Sequence, residues 1–181
     1  MSMKISFELS DGDLNFFRKA LKQSREAVRD ADESEIIEAV SDVLNEIRQN
    51  EPLPDFVGKR IPQLESFISM LTDDEWQLPT RDRERLLATF VYFADPEDIL
   101  PDDIPVIGYL DDVIIIELIV RELHHVRIAY DDFCQYRNQF DSTNGKDVDP
   151  AIRRDRIDRR RQKLHQRMQR RSAQRKKSEL W

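Results

Sequence analysis

Apolar side chains recur every three or four residues along most of the chain, which is the spacing that places them on one face of an α-helix. The longest predicted helix begins with a segment that is apolar on nearly all sides, and a helix of this kind is usually central in a fold. The spacing predicts five helices, over residues 11–30, 34–49, 58–72, 80–93 and 109–138.

Two segments also fit an extended strand. Ile5, Phe7 and Leu9 alternate with polar residues and predict a short N-terminal strand. Residues 113–120 are dense in β-branched side chains, so a buried strand is the alternative there. We prefer a helix, because the apolar rhythm continues as far as Phe133.

The predicted fold class is all-α: a compact bundle of about five helices. The chain of 181 residues has only four glycines, whereas all-β folds need many tight turns. Ser10 has the chemistry of an N-cap for the first helix, and Asp11 and Asp13 suit the positive end of its dipole. A loop rich in proline and aspartate, residues 94–107, separates the last two helices.

Charge divides the chain unevenly. The net charge is −7, but residues 151–181 hold 13 Lys or Arg and 3 Asp or Glu, whereas the other 150 residues hold 16 and 33. The split predicts an acidic helical body over residues 1–140, a linker over 141–149, and a basic C-terminal arm over 150–181.

Arginine predominates in the arm, and its fork of donors suits phosphate groups. Ile157, Leu164 and Met168 share one narrow face, which predicts a solvated helix or one that orders on binding. The only aromatic residue in the arm is Trp181, so stacking on single-stranded bases is not expected. The candidate nucleic-acid-binding residues are Arg153, Arg154, Arg156, Arg159, Arg160, Arg161, Lys163, Arg167, Arg170, Arg171, Arg175, Lys176 and Lys177.

The composition of the arm leaves several partners open. RNA, DNA or a ribonucleoprotein fits best, through backbone contacts without sequence preference. An acidic protein surface is the next candidate, either the chain's own body or that of a second copy. An anionic membrane fits less well because the apolar seam is thin for an amphipathic anchor. The remaining alternative is a helix with no specific partner.

One segment has a distinctive order of tyrosine, aspartate, proline and glycine. It resembles the YkvA-like family of bacterial domains of unknown function over about residues 85–123. The positions that carry the resemblance are Tyr92, Asp95, Pro96, Asp98, Pro101, Asp102, Ile104, Pro105, Gly108, Tyr109, Leu110, Asp111 and Asp112. The resemblance implies a helical hairpin with an ordered acidic loop, and it implies no reaction.

The acids of this segment allow two interpretations. Asp98, Asp102, Asp111 and Asp112 could supply oxygen ligands to a divalent cation. Their spacing is not that of an EF-hand, and aspartate is common in turns and helix caps. We therefore favour a structural role and keep the metal site as the alternative.

No other motif makes a positive case for an enzyme, and no cofactor is expected. His124 and His125 give a Glu-x-x-His pattern, but a di-iron site needs a second such pattern. Cys134 has acidic neighbours, which predict an inert thiol, and one cysteine suits the reducing cytoplasm. Acidic residues interrupt the most apolar stretch, so a transmembrane span is not expected.

These observations favour a non-enzymatic binding or regulatory protein. Its arm would contact nucleic acid or a ribonucleoprotein, and its body would contact a protein partner. A divalent-metal-dependent enzyme or sensor centred on the aspartate-rich loop is one alternative. A self-associating structural module is another.

Overall fold

Helix caps and proline positions explain where several helices begin. Ser10 and Asp13 form a reciprocal pair: Asp13 N–H donates to Ser10 Oγ, and Ser10 N–H donates to Asp13 Oδ2. Asp149 caps the last helix through the N–H of Ala151 at 2.7 Å, and Pro150 occupies the first helical position, where proline loses no hydrogen bond. The Ser10 cap is therefore confirmed.

The computed structural model describes residues 8–28, 31–49, 55–94, 110–144 and 148–178. These ranges contain only helices and their connections, with no strand, so the all-α prediction is confirmed. Of the predicted N-terminal strand, Ile5 and Phe7 lie outside the described ranges. The helices are α1 (Asp11–Ala27), α2 (Glu33–Gln49), α3 (Asp55–Gly58), α4 (Ile61–Thr72), α5 (Thr80–Phe93), α6 (Leu110–Glu122), α7 (His124–Asn144) and α8 (Pro150–Ser178).

The predicted long helix over residues 109–138 is wrong as a single element. The chain forms α6 and α7, separated at Leu123. The Leu123 carbonyl accepts from the N–H groups of both Val126 and Arg127, so the hydrogen bonding tightens toward 3₁₀ spacing at this point. Leu123 itself is fully buried. Residues 113–120 lie in α6, as the preferred interpretation required.

The predicted linker also begins later than expected, because residues 141–144 belong to α7. The predicted helix over 58–72 is divided into the short α3 and the longer α4. Most of the predicted loop over 94–107 lies outside the described ranges.

The helices group into two units. Unit 1 comprises residues 1–62 and 84–118, and unit 2 comprises residues 63–83 and 119–181. Unit 1 contains 10 Lys or Arg and 22 Asp or Glu, a net charge of −12, whereas unit 2 contains 19 and 14, a net charge of +5. The buried side chains of unit 1 include Ile36, Val40, Leu44, Val57, Leu86, Phe90, Ile115 and Ile116.

The core of unit 2 includes residues from the last helix. Ile157, Leu164 and Met168 of α8 are buried alongside Leu64, Phe67, Met70, Trp76, Leu123, Val126 and Phe133. Helix α8 runs antiparallel to α7, because Arg153 pairs with Asp141 whereas Arg167, a few turns later, pairs with Asp132. The basic segment is therefore an integral element of unit 2.

Candidate functional site

A buried polar pair joins the two helices that flank the aspartate-rich segment in unit 1. Tyr92, near the end of α5, donates its hydroxyl to Asp111 Oδ2 at the start of α6, with 3.3 Å between the oxygens. Both side chains are buried, at 8% and 1% exposure. Because both residues carry the family resemblance, the pair shows that at least these two motif positions hold helices together.

Of the other positions of this motif, Leu110 begins α6, and the rest lie wholly or partly outside the described residues. Asp112 lies in α6, but its side chain is outside the described part of the structure. The same holds for the whole of Asp95, Pro96, Asp98, Pro101, Asp102, Pro105, Gly108 and Tyr109. Among the described residues, no three His, Cys, Asp or Glu side chains form a group that could hold a metal ion. The divalent-cation site therefore stays a prediction.

Tyr92→Phe is expected to lower the free energy of unfolding by about 1–2 kcal/mol, because it removes a hydrogen bond to a buried carboxylate. Tyr136→Phe is the matched control: Tyr136 is half-buried, and its ring, which contacts the Arg160 guanidinium, is retained. Urea unfolding of the two variants measures the difference. Equal stabilities would show that the Tyr92 hydroxyl contributes nothing to the packing of these helices.

The inner face of α8 is anchored by apolar side chains. Ile157, Leu164 and Met168 are only 2–3% exposed. The sequence spacing predicted that these three residues share a narrow face. The prediction of a solvated helix is wrong for this face, because all three side chains are buried. A helix fixed in this way presents its remaining side chains from a rigid backbone.

Trp76 lies in the connection between α4 and α5 and is fully buried. The His165 ring of α8 stands edge-on to it with 4.6 Å between centroids, and Tyr130 and Phe133 of α7 lie at 5.5 and 5.1 Å. Burial, followed by the nearby charge of Arg161, lowers the pKa of His165 below 6.5, so the imidazole is mostly neutral at pH 7. A single turn thus ties α7 and α8 together.

The same turn carries two acids, Asp73 and Glu75, that bind arginines of other helices. We call Asp73, Glu75, Arg137, Asp141 and Arg153 together the 73–75 network. Arg137 donates to both oxygens of Asp73 and to Glu75 Oε2 at 2.9–3.1 Å. Arg153 of α8 donates to Glu75 and binds Asp141 through two hydrogen bonds of 2.7 and 2.8 Å. Burial opposes the charge of Arg137, but its hydrogen bonds to Asp73 and Glu75 raise its pKa. Hydrogen bonds to Asp141 and Glu75 likewise raise the pKa of Arg153.

Three further arginines of α8 are engaged inside unit 2. Arg161 donates to the backbone carbonyl of Glu75 and pairs with Asp158. Arg160 lies over the Tyr136 ring at 5.2 Å, and Arg167 pairs with Asp132. Together with Arg153, these residues account for four of the thirteen predicted nucleic-acid contacts, and the structure gives all four a role in packing.

A second set of cations faces solvent. Arg156, Arg159, Lys163 and Arg170 are exposed, and at 100° per residue they fall within an arc of about 60°. We call these four residues the outer stripe. Arg154 and Arg171 are also exposed but lie elsewhere around the helix. The side chains of Arg175, Lys176 and Lys177, and the whole of Trp181, are outside the described part.

Two further sequence predictions concern Cys134 and membrane-spanning helices. Burial raises the pKa of the half-buried Cys134 thiol, which agrees with the predicted inert cysteine. Across the described ranges, every helix is either too short or too polar to cross a bilayer.

Sequence reasoning missed Trp76, Asp73, Glu75 and Arg137. The first three lie in a connection of the type usually exposed, and their partners are about 60 to 90 residues away in the chain. A tryptophan between two predicted helices was the one available signal.

The comparison with known protein families concerns the helices around the Tyr92–Asp111 pair. A domain of unknown function matches residues 85–118. Its family is described as "Protein of unknown function (DUF1232)". The resemblance to the YkvA-like family is thereby confirmed for this segment, which is less than a quarter of the chain. No curated protein and no solved structure matches the chain.

Proposed function

We propose that this chain is a non-enzymatic binding protein whose outer stripe binds the phosphates of nucleic acid or of a ribonucleoprotein. The observation that carries the proposal is the division of α8 into two faces. Its inner arginines are engaged by acids, a backbone carbonyl or an aromatic ring of unit 2, whereas its outer cations lie in one exposed row, in which Arg159 forms only a solvent-exposed pair with Asp155.

Phosphate is the group that this row suits chemically. Guanidinium groups bind phosphate oxygens through two parallel hydrogen bonds, and three of the four stripe residues are arginine. Each neutralised phosphate releases counterions, so a row of cations gains affinity mainly at low salt. The positive net charge of unit 2 favours such a partner, although the net charge of the whole chain is negative.

Unit 1 would supply the contact with a protein partner. Phe16 of α1 is 57% exposed and stands edge-on to Phe17, with 5.7 Å between the ring centroids. An exposed phenylalanine beside a half-buried one on an acidic unit supports a protein contact better than a nucleic-acid contact. We place this function in the cytoplasm, because the single cysteine fits a reducing compartment.

The test compares two variants of equal charge. One replaces the outer stripe (Arg156→Gln, Arg159→Gln, Lys163→Gln and Arg170→Gln). The matched control removes four exposed cations of unit 1 (Arg18→Gln, Lys19→Gln, Lys22→Gln and Lys59→Gln). Binding of labelled RNA and DNA to the full chain and to both variants is measured by fluorescence anisotropy from about 25 to 300 mM salt.

The stripe variant is expected to lose at least about tenfold in affinity at low salt, and its log–log salt slope should become less steep by about 3–4. The control should bind as the unmodified chain does. Equal binding by the two variants, or no binding by the full chain at about 25 mM salt, would refute the proposal. Polyglutamate added as competitor should displace the nucleic acid weakly; efficient displacement would indicate an acidic protein partner instead.

A further inference from the structure

The exposed side of α8 is chemically asymmetric. The outer stripe occupies one edge, and the other edge carries Asp155, Gln162, Gln166 and Gln169, all exposed, about 90° around the helix. Asp158 lies beyond them and binds Arg161. The helix therefore has four cations along one exposed edge, whereas the other edge carries neutral or acidic groups, with the exposed Arg154 beyond them near the start of the helix.

This asymmetry limits how α8 can meet a nucleic acid. A helix inside a groove has a phosphate backbone on each side, so it needs positive groups at both edges. On α8, the second backbone would face three glutamines and the carboxylates of Asp155 and Asp158, which are already paired with Arg159 and Arg161. A second backbone in that position would find little positive charge to bind, whereas contact with a single backbone uses only the outer stripe.

The outer stripe is also straight and rigidly mounted. Arg156 and Arg170 are fourteen residues apart, which corresponds to about 21 Å along a helix axis. The buried Ile157, Leu164 and Met168 and the paired Arg153 and Arg167 hold the inner side of the helix against unit 2 along this length. A fixed row of charges suits a partner whose phosphates are themselves held in fixed positions, because neither side loses much conformational freedom on binding.

Features that favour a single strand are missing from the described part of α8. Proteins that bind single strands stack the bases on aromatic side chains. Residues 150–173 contain no Phe, Tyr or Trp, and the one ring there, His165, is packed against Trp76. Over residues 150–173, the outer edge therefore offers no aromatic platform for an unpaired base.

We infer that α8 lies along one phosphate backbone of a double-stranded nucleic acid and does not enter either groove. This inference rests on the proposed function and adds the class of nucleic acid and the mode of contact. It implies binding without sequence preference, because the base edges are not reached.

The experiment uses the full chain and a 24-base-pair DNA duplex in three forms. One is unmodified, one carries glucosylated 5-hydroxymethylcytosine, which fills the major groove, and one carries 2-aminoadenine, which adds an amino group in the minor groove. Each separated strand of the unmodified duplex is measured at the same phosphate concentration and salt. The three duplexes should bind within about twofold of one another, and the single strands at least about fivefold more weakly.

A variant with Gln162→Ala, Gln166→Ala and Gln169→Ala tests the neutral edge directly. It should bind the duplex within about twofold of the unmodified chain, because this edge contacts no base. Three results would overturn the inference and leave phosphate binding intact. The first is a more than twofold loss of duplex affinity in the glutamine variant. The others are a fivefold or greater loss of affinity for either groove-modified duplex, and equal binding of single strands and duplex. Absence of binding to every nucleic acid would instead refute the proposed function.

Discussion

A chain truncated after Asn144 is expected to lose the cooperative unfolding of unit 2. Burial of three aliphatic or thioether side chains of α8 contributes about 5–8 kcal/mol, which is comparable to the whole stability of a small domain. Removal of α8 also takes His165 from the ring of Trp76 and Arg153 from Glu75 and Asp141. A detachable arm would leave the folded state unchanged.

Truncation after Ala173 is the matched control, since it keeps the buried Ile157, Leu164 and Met168 of α8 and removes only residues 174–181. Both truncated chains lack Trp181, so tryptophan fluorescence reports Trp76 alone. The longer chain should show the blue-shifted emission of a buried indole and a single sharp thermal transition. A sharp transition with blue-shifted emission from the chain ending at Asn144 would contradict the role given to α8.

Asp73→Ala is expected to lower the free energy of unfolding by about 2–3 kcal/mol. The Asp73 carboxylate is 9% exposed and accepts hydrogen bonds from the backbone N–H groups of Glu75 and Trp76, from Arg137 and from Tyr130. Removing it leaves Arg137 without one of its two acids and leaves the turn around Trp76 uncapped. Chemical denaturation at pH 7 measures the loss.

Asp155→Ala provides the contrast, because Asp155 pairs with Arg159 on the exposed side of α8. An exposed pair contributes little, so this change should alter stability by less than about 0.5 kcal/mol. Equal effects of the two substitutions would show that the 73–75 network is no stronger than a surface pair.

The contribution of Asp73 to the free energy of unfolding should also depend on pH. Burial opposes ionisation of Asp73, but the hydrogen bonds and charge of Arg137, with the Trp76 N–H, hold its pKa below 3.8. A carboxyl with a lowered folded pKa stabilises the protein above the unfolded pKa, and this stability is lost as the pH falls through the folded pKa. The difference between the unmodified chain and Asp73→Ala should therefore shrink below about pH 4.

Helical periodicity predicted the elements better than their connections. The 34–49 and 80–93 helices agree with α2 and α5 to within one residue, because caps, prolines and apolar spacing act locally. The break at Leu123 left no such local mark, since its neighbours continue the apolar rhythm on both sides. Tertiary packing therefore determines where α6 ends and α7 begins.

The candidate site divides in the same way. Sequence spacing identified the seam of Ile157, Leu164 and Met168, but it could not show that the seam is buried, because its surroundings come from distant parts of the chain. Charge composition identified thirteen cations as one group. Only the partners of Arg153, Arg160, Arg161 and Arg167 separate the inner cations from the outer ones.

The placement of α8 in the core of unit 2 has a consequence for synthesis. The turn around Trp76 emerges from the ribosome long before α8, and Arg153 and Arg161 follow Glu75 by 78 and 86 residues. At about 5–20 residues per second, this delay lasts about 4–17 s. During that time the indole of Trp76 lacks the helix that covers it, so nascent unit 2 is a natural client for chaperones that shield exposed apolar surface.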